Sequence, residues 1–380
     1  MSRADRPWPR RHPLLALFAL LGINLVIFAA FALLAEIALR LYVPYNPSYY
    51  MAVGGTDREI EYPYGTIKIN HDGFADDEFD LSHSRRVGYF GDSVTYGVGA
   101  GYGYRFTDLL RAAYPDYSHM NFGGIGLSVS QETIDRSIEL ADRFGLDVAV
   151  YFLNMNDIVP DVAVAPESAE SRAEQPWSRR ALVWVYGHAD WLRGKSYLYT
   201  ELRTLAKNYL EASGMGFHGY PAYEFHPAAE RAVLLETVRR IDHFHDELAR
   251  HGVELIVVIV PYEMQISDEA AKVYRDDGIT WEDGFLGGST QRILAEAFAS
   301  GVRVIDLLPA FVDPDHPERS RAENGVGEFF VYDRGDKLDW NHPNRAGHRA
   351  IADYLKRVEL LDPTPPIERA AASGEDRAVE

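Results

Sequence analysis

Short apolar runs alternate with amphipathic helical patterns along most of the chain. Five runs have strand length and are bounded by turn residues: Arg86–Phe90, Met120–Phe122, Val148–Leu153, Leu255–Val260 and Val302–Leu307. Helical patterns lie between and after them, at Tyr104–Tyr114, Ser130–Phe144, Ala229–Arg250, Ser289–Ser300 and Arg345–Val358. This β–α alternation predicts an α/β fold with a parallel sheet, right-handed crossovers and helices on both faces.

One apolar run near the N-terminus is much longer than a strand. Residues 14–35 carry no charge, and as a helix they would be about 33 Å long, enough to cross a hydrocarbon core of about 30 Å. The run is preceded by Arg3, Arg6, Arg10 and Arg11, with Asp5 as the opposing charge. This bias predicts a transmembrane anchor with residues 1–13 in the cytoplasm and the rest of the chain on the periplasmic side of the cytoplasmic membrane.

Two alternatives to an anchor are a cleaved signal peptide and a buried helix of a soluble protein. Residues 30–32 read Ala-Phe-Ala, which resembles a cleavage site for signal peptidase. However, the apolar run is longer than the apolar core of a typical signal peptide and continues through this site. The sequence therefore favours an uncleaved anchor.

The remaining segments are assigned from composition. Residues 36–85 are predicted to form a juxtamembrane segment, in which tyrosines 42, 45, 49 and 50 lie at the membrane boundary. The body covers residues 86–358, interrupted by a tryptophan- and tyrosine-rich insertion at residues 160–226. The insertion is expected to be helical and to serve as a lid, as a surface resting on the membrane, or as a packing appendage. Residues 359–380 are predicted to be a disordered tail.

Charge and cysteine content exclude several classes of function. The chain has 38 lysines and arginines against 57 aspartates and glutamates, and 38 − 57 gives a formal net charge of −19. Such an acidic protein repels polyanions, so no nucleic-acid partner is expected. The chain has no cysteine, which excludes disulfides, thiolate metal sites and a cysteine nucleophile.

The candidate nucleophile is Ser93, in the sequence Gly91-Asp92-Ser93 that follows the first predicted strand. In an open α/β sheet, ligands bind beyond the carboxyl ends of the strands, which is where Ser93 would stand. An Asp-Ser pair is also a common helix start, so this segment alone does not establish a catalytic residue.

A second segment, Asp339-Trp340-Asn341-His342, lies near the C-terminus. An aspartate three residues before a histidine can reach the same imidazole, holding its Nδ1–H and leaving Nε2 free to accept a serine proton. Pro343 disfavours helix at His342, which is therefore expected to be extended on a loop, with Asn344 as the N-cap of the last helix. In isolation, His342 could be an ordinary loop histidine with Asp339 capping a turn.

Two further segments offer hydrogen-bond donors for the oxyanion of a tetrahedral intermediate. Residues 121–126 (Asn-Phe-Gly-Gly-Ile-Gly) follow the second strand, and a glycine such as Gly126 lets a backbone N–H approach a ligand closely. Asn156 follows the third strand, and its amide is a neutral donor suited to a developing negative charge. Each residue also has a simpler alternative as a plain turn residue.

Together these four segments resemble the conserved blocks of the SGNH hydrolases, also called the GDSL esterase and lipase family. The resemblance covers roughly residues 86–358 apart from the insertion. It implies Ser93 as nucleophile, His342 as general base and then acid, and Asp339 as the residue that orients His342. It also implies an oxyanion hole formed by the N–H groups of Ser93 and Gly126 and the side chain of Asn156.

The same resemblance implies a flavodoxin-like three-layer α/β/α sandwich with a five-stranded sheet in the order 2-1-3-4-5. The N-terminal anchor ending in residues 33–40 is similar to that of membrane-anchored members of the family. One departure is Asn154, where the family commonly has glycine, and this departure leaves the shape of the acyl pocket open.

Other motifs do not support a cofactor or metal. The glycines at 97, 99, 101 and 103 have neither the spacing nor the position of a dinucleotide fingerprint or P-loop. Residues 242–246 (Asp-His-Phe-His-Asp) fall in a helical pattern, where residues two apart point to different faces, so no metal site is predicted there.

The predicted function is that of a membrane-anchored serine esterase, which hydrolyses an acyl ester of a lipid or an acylated envelope glycan through an acyl-serine intermediate without a cofactor. Two alternatives stay open. One is an O-acyltransferase or acetyltransferase that acts on a cell-envelope polysaccharide, beside a membrane acyl-donor protein. The other is a catalytically silent binding scaffold on the same fold.

Overall fold

The computed structural model describes residues 13–42, 56–62, 65–158, 196–199, 202, 205, 225–226, 231–276, 279–298, 301–332 and 338–361. These residues belong to two compact units. One unit is built from the described parts of residues 1–53 and 175–218, and the other from those of residues 54–174 and 219–380. Most of the predicted insertion, and the tyrosines expected at the membrane boundary, lie outside the described residues or have side chains outside them.

The first unit contains the N-terminal helix α1, Pro13–Tyr42. It is the one helix among the described residues that is long and apolar enough to cross a membrane, through the stretch Leu17–Leu41. Its apolar side chains are exposed along the whole length, as Leu25 and Phe28 near its middle illustrate. The predicted run of residues 14–35 is therefore helical, and the helix continues seven residues beyond it.

The second unit is built on a five-stranded parallel sheet. Its strands are β3 (Arg85–Gly91), β4 (Tyr117–Asn121), β5 (Val148–Leu153), β6 (Glu254–Ile259) and β7 (Arg303–Asp306). Their order across the sheet is β4-β3-β5-β6-β7, and every neighbouring pair is parallel. Numbered from β3, this is the predicted order 2-1-3-4-5, so the flavodoxin-like α/β topology is confirmed.

Side chains alternate between the two faces of the sheet, as the period of a strand requires. In β5, Ala149, Tyr151 and Leu153 contribute to one core cluster, whereas Val148, Val150 and Phe152 contribute to the other. All six are buried, because helices cover both faces. The result is a three-layer α/β/α sandwich.

The helices of the body follow the predicted positions within a few residues. The long helices are α3 (Phe106–Ala113), α4 (Gln131–Phe144), α5 (Arg231–Arg250), α8 (Ser289–Ala297) and α10 (Arg345–Arg357). Shorter helices are α2 (Ser93–Tyr96), α6 (Glu263–Ile266), α7 (Asp268–Asp276) and α9 (Pro317–Glu323). Helices α4 and α5 supply apolar residues to one core cluster, and α3 and α10 supply them to the other.

Three features differ from the sequence-based expectations. The segment predicted to be juxtamembrane contains an antiparallel hairpin of β1 (Arg58–Tyr62) and β2 (Gly65–Ile69). His342 lies not on a loop but on strand β9 (Leu338–Pro343), which pairs with β8 (Phe330–Tyr332). The folded body also extends to Leu361, since Leu360 and Leu361 are buried in the core rather than part of a disordered tail.

Candidate active site

Ser93 is held at the start of helix α2 by the sharp turn that ends β3. Gly91 has a φ of 143°, and a Cβ there would lie 2.7 Å from the carbonyl oxygen of Phe152, so the turn requires glycine. Asp92 is the N-cap of α2, and its Oδ1 accepts the N–H of Val94 at 2.9 Å. The hydroxyl of Ser93 is thereby fixed at the carboxyl edge of the sheet.

His342 meets Ser93 from the other end of the chain. Its Nε2 lies 2.7 Å from the Ser93 Oγ, within hydrogen-bonding distance. The imidazole is half-buried, whereas Ser93 is only 6% exposed. Sequence analysis predicted this pairing, and the structure brings the two side chains together in the geometry that a nucleophile and its base need.

The corner after His342 is fixed by Asn344, the predicted N-cap of the last helix. Its Oδ1 accepts the N–H groups of Ala346 and Gly347, at 2.8 and 3.1 Å. Its Nδ2 donates to carbonyl oxygens of the segment that leads into β8, namely those of Gly327, Glu328 and Phe330. Asn344 therefore ties β8, β9 and α10 together directly beside the histidine.

Asp339 lies on β9, three residues before His342. Its side chain lies outside the described part of the structure, so its predicted role in orienting His342 stays a prediction. The described residues thus contain the serine–histidine pair, and the third member of the predicted triad is placed by its backbone alone.

Asp92 is a site residue whose role sequence analysis missed. Its carboxylate, 1% exposed, accepts hydrogen bonds from the Ser93 hydroxyl at 3.2 Å and from the Asn156 side chain. Burial raises the pKa of the Asp92 carboxyl, while the N–H of Val94, the nearby His342, Asn156 and Ser93 lower it in part. The only signal for Asp92 in the sequence was its position directly before Ser93. A role as the N-cap of the following helix was enough to account for an aspartate at that position.

Asn156 lies in a short 3₁₀ turn, Met155–Asp157, that follows β5. Because a carboxylate accepts hydrogen bonds, the bond to Asp92 orients the Nδ2 of Asn156 toward it, and the buried Oδ1 has no partner among the described residues. An amide nitrogen carries two hydrogens, so this orientation leaves one N–H for another acceptor. The side chain of Asn156, the predicted oxyanion donor, is thus hydrogen-bonded to Asp92, the residue before the candidate nucleophile Ser93.

Gly126 lies in the loop after β4, at the same edge of the sheet. It is exposed and has a φ of 73°, in the left-handed region that favours glycine. A Cβ at this position would meet nothing within 4 Å, so the glycine serves the turn and leaves open space beside it. Its predicted role as an oxyanion donor stays a prediction.

The loop that carries Gly126 is held against helix α2 by Asn121. The Asn121 Nδ2 donates to the carbonyl oxygen of Thr95 at 2.8 Å, and its Oδ1 accepts the N–H of Gly123 at 2.9 Å. A Cβ on Gly123 would lie 2.5 Å from the backbone nitrogen of Tyr96. The loop therefore approaches α2 more closely than a residue with a side chain at position 123 would allow. Sequence analysis noted this loop but not the side chain that positions it.

A buried cluster of ion pairs around Asp76 also holds the loop that begins at Asn121. The Asp76 carboxylate, fully buried, forms ion pairs with Arg111 at 2.6 Å and Arg105 at 3.4 Å. Its other oxygen accepts the backbone N–H of Asn121 at 2.9 Å. A buried carboxylate needs such partners, because an unpaired charge in the interior is costly. The segment after β2 is thereby joined to the base of the active-site loop.

Asn154, the departure from the family pattern, is fully buried, and neither polar atom of its side chain has a partner among the described residues. Its backbone N–H donates to Asp157 at 3.1 Å. The side chain therefore does not line an open acyl pocket, and it lies below the turn that presents Asn156.

A cavity of about 390 Å³ opens beside the site. Glycines 91 and 126 contribute to its wall, and Ser93 and His342 do not. Its other lining residues are of two kinds. The apolar ones are Phe74, Phe90, Phe122, Leu127 and Leu140, and the polar ones, from α4 and the segment before it, are Ser128, Ser130, Glu132, Thr133, Arg136 and Ser137. Among the described residues, no group of three or more histidine, aspartate or glutamate side chains is placed to hold a metal ion.

Residues 220–360 match the family model described as "SGNH hydrolase-like domain, acetyltransferase AlgX". This match covers the strands β6 to β9 and His342, whereas Ser93 and the strands β3 to β5 lie outside it. Residues 220–360 are therefore similar to an SGNH hydrolase-like domain.

The chain is also similar to solved structures of a lipolytic protein and of an acetylxylan esterase. A member of the lipolytic protein G-D-S-L family from Veillonella parvula DSM 2008 is 16% identical, with a TM-score of 0.36, over 72% of this chain and 98% of that one. A catalytic mutant of Axe2, an acetylxylan esterase from Geobacillus stearothermophilus, is 14% identical, with a TM-score of 0.38, over 74% and 97%. These similarities are too low to say anything about chemistry. No curated protein matches the chain.

Proposed function

We propose that this protein is a membrane-anchored serine esterase that cleaves an acyl ester through a covalent acyl-serine intermediate. The observation that carries the proposal is the 2.7 Å contact between the Ser93 Oγ and the His342 Nε2. A serine hydroxyl is a weak nucleophile until a base accepts its proton, and a histidine at this distance is such a base.

In the first half of the reaction, the Ser93 Oγ attacks the carbonyl carbon of the ester while its proton moves to the His342 Nε2. The tetrahedral intermediate collapses, and the bond to the leaving alkoxide breaks as His342 returns the proton to it. In the second half, His342 takes a proton from water as the water oxygen attacks the acyl carbon. The second tetrahedral intermediate collapses, the bond from the acyl carbon to the Ser93 Oγ breaks, and His342 returns the proton to Ser93 as the acid leaves. Asp339, if its side chain reaches the imidazole, stabilises the charged form.

The negative oxygen of each tetrahedral intermediate needs donors. The remaining Asn156 N–H and the backbone N–H groups of Ser93 and Gly126 are the candidates, since all three follow parallel strands at one edge of the sheet. Asp92 supports this role, because it holds the Asn156 amide with the nitrogen, not the oxygen, toward itself, the residue before Ser93.

A panel of 4-nitrophenyl esters with increasing acyl length tests the proposed activity on the full chain in detergent or vesicles. Ester cleavage that is lost in Ser93→Ala supports it. No cleavage, together with no reaction of Ser93 with a fluorophosphonate, would instead favour a silent binding scaffold.

The cavity beside Gly126 is a candidate for one arm of the substrate. Leu127 contributes to its wall and is 38% exposed, so Leu127→Trp should narrow it and shift the preferred acyl length toward shorter chains. Leu81→Trp is the matched control, because Leu81 is similarly exposed and does not line the cavity. An unchanged length profile in Leu127→Trp would place the acyl chain elsewhere.

An acyltransferase is the second candidate, and the description of the matching family as an acetyltransferase favours it. Water and a sugar hydroxyl attack the same acyl-serine intermediate, so the residues named above serve both reactions. Incubation with a chromogenic acetyl ester and an envelope polysaccharide distinguishes them. Acetylated polysaccharide among the products identifies a transferase, whereas free acetate alone identifies an esterase.

We further propose that helix α1 anchors the domain with the N-terminus in the cytoplasm and the active site on the periplasmic side. The four arginines that precede the apolar stretch support this orientation. A C-terminal alkaline phosphatase fusion should then be active, and a reporter that works only in the cytosol should be silent. The opposite pattern would place the site in the cytoplasm and exclude envelope esters as substrates.

A further inference from the structure

A carboxylate near the end of helix α1 holds a segment that is distant in sequence. Glu36 accepts the backbone N–H of Tyr197 at 3.1 Å and that of Leu198 at 2.8 Å. It also accepts the hydroxyl of Ser196 at 2.8 Å. Residues 197–199 are helical, so Glu36 satisfies N–H groups that a helix start leaves without partners inside the helix.

Two neighbouring residues strengthen this attachment. The Ser196 Oγ accepts the N–H of Tyr199 at 3.1 Å, as an N-cap does. Arg40, one turn beyond Glu36 on α1, donates to its Oε1 at 2.7 Å and lies over the Tyr197 ring, 4.8 Å from the centroid. The contact thus joins two elements of the first unit through a carboxylate, a hydroxyl and a cation–π pair.

The position of Glu36 along α1 indicates how deep in a membrane the contact between Glu36 and residues 196–198 would lie. An α-helix rises about 1.5 Å per residue, so the uncharged stretch 14–35 is about 33 Å long, close to the roughly 30 Å of a hydrocarbon core. Glu36 is the first charged residue after that stretch. If α1 spans the bilayer, the segment beginning at Ser196 starts at the lipid–water boundary.

The segment carries apolar side chains that the protein does not cover. Leu202 is 55% exposed and Leu205 is 61% exposed, and both are helical. Leu198, Leu202 and Leu205 are each helical and are spaced by four and three residues, a spacing at which side chains share one face of a helix. Exposed leucines at the level of the lipid–water boundary can bury their surface in the bilayer.

We propose that the segment beginning at Ser196 is a second membrane contact, held beside the anchor by Glu36 and resting on the lipid through Leu202 and Leu205. This is one of the roles considered for the insertion, and it is proposed for the described residues of 175–218, which belong to the same compact unit as α1. The partner is the apolar boundary of the bilayer itself rather than an anionic headgroup, since an acidic chain gains nothing from negative lipid.

Fluorescence quenching on the full chain in vesicles tests this proposal. The chain has no cysteine, so Leu202→Cys and Leu205→Cys each give one labelling position for an environment-sensitive dye. The vesicles contain phosphatidylcholine with or without a spin label near the top of the acyl chain. Val26→Cys, at an exposed position in the middle of α1, is the control for a label inside the bilayer.

The proposal predicts that the spin-labelled lipid removes at least half of the emission at positions 202 and 205, and that aqueous iodide removes little. Labels at both positions that respond to iodide and not to the lipid would overturn it. The proposal rests on the proposed anchoring by α1, which the label at position 26 checks separately, and its readout does not depend on ester cleavage.

A second comparison tests the role of Glu36. In the Glu36→Ala background the lipid quenching at position 205 should fall at least twofold, whereas Glu36→Gln, which keeps an acceptor oxygen, should retain most of it. Far-UV circular dichroism identifies a variant that has not folded. Unchanged quenching in folded Glu36→Ala would show that Glu36 does not hold the segment.

Discussion

The Ser93 Oγ lies 2.7 Å from the His342 Nε2, although 249 positions separate the two residues in the sequence. Ser93 is presented by the turn after β3 in the middle of the sheet, and His342 by the hairpin strand β9. Neither segment is a site by itself, and the proposed acyl transfer rests on the close contact between them.

This contact predicts that the two residues act as a unit. Ser93→Ala and His342→Ala should each lower kcat/KM for a chromogenic ester by roughly 10⁴-fold or more, and the double variant should lose little beyond either single one. Steady-state kinetics on the full chain measure this. Losses that multiply in the double variant would show that the two side chains contribute independently.

Asn156→Ala should lower kcat by roughly 10²–10³ with KM nearly unchanged, because an oxyanion donor acts on charge that exists only in the transition state. Asp92→Asn should give a smaller loss in kcat, since a neutral amide no longer fixes which end of the Asn156 side chain faces the site. A rise in KM alone for Asn156→Ala would reassign this residue to substrate binding.

Gly123→Ala should reduce both activity and thermal stability. The new Cβ would lie 2.5 Å from the Tyr96 backbone nitrogen, so the loop must move away from α2 and take Gly126 with it. Gly287→Ala is the matched control, because its Cβ would meet nothing within 4 Å. Equal melting temperatures and activities for the two variants would show that the close approach at Gly123 is unimportant.

Acid should destabilise the body through His348. Burial lowers the pKa of His348 to about 3, and its Nδ1 accepts the Phe106 N–H at 3.1 Å, which requires the unprotonated ring nitrogen. In the unfolded chain its pKa is about 6.5, so the unfolded state binds a proton that the folded state excludes. The stability is therefore fully present above about pH 6.5 and is lost as the pH falls toward 3.

At pH 5 this loss amounts to about 2 kcal/mol in the free energy of unfolding. His348→Gln, which keeps an acceptor for the Phe106 N–H, should shrink the difference in unfolding free energy between pH 7.5 and pH 5 by about that amount. Burial also lowers the pKa of His119, to about 4, so part of the acid sensitivity should remain. An undiminished pH dependence would mean that His348 is not the group that titrates.

The sheet could be predicted because its strands are buried on both faces and read as continuous apolar runs, as β5 does. Strand β4 was predicted to begin at Met120 and begins at Tyr117 instead. The reason is that Ser118 and His119 are polar yet buried, and His119 is stabilised by the Tyr89 hydroxyl at 2.8 Å and the Tyr114 carbonyl at 2.9 Å. Hydrophobicity alone does not reveal such partners.

The residues of the candidate site could be predicted from the sequence, but the hydrogen bonds that connect them could not. Ser93 and His342 follow from their segments, whereas the placement of His342 on a strand depends on pairing with β8, which no local pattern specifies. The contact of Asp92 with Asn156 joins two strand ends, and that of Asp76 with Asn121 joins two distant segments. These bonds exist only once the sheet has assembled.

The central claim is that Ser93 is a nucleophile activated by His342, and covalent labelling tests it most directly. The full chain is treated with a fluorophosphonate, and peptide mass spectrometry locates the adduct. The account predicts one adduct, on Ser93, that is absent in Ser93→Ala and forms at least about 10²-fold more slowly in His342→Ala. No adduct on Ser93, or a rate that does not depend on His342, would contradict the account.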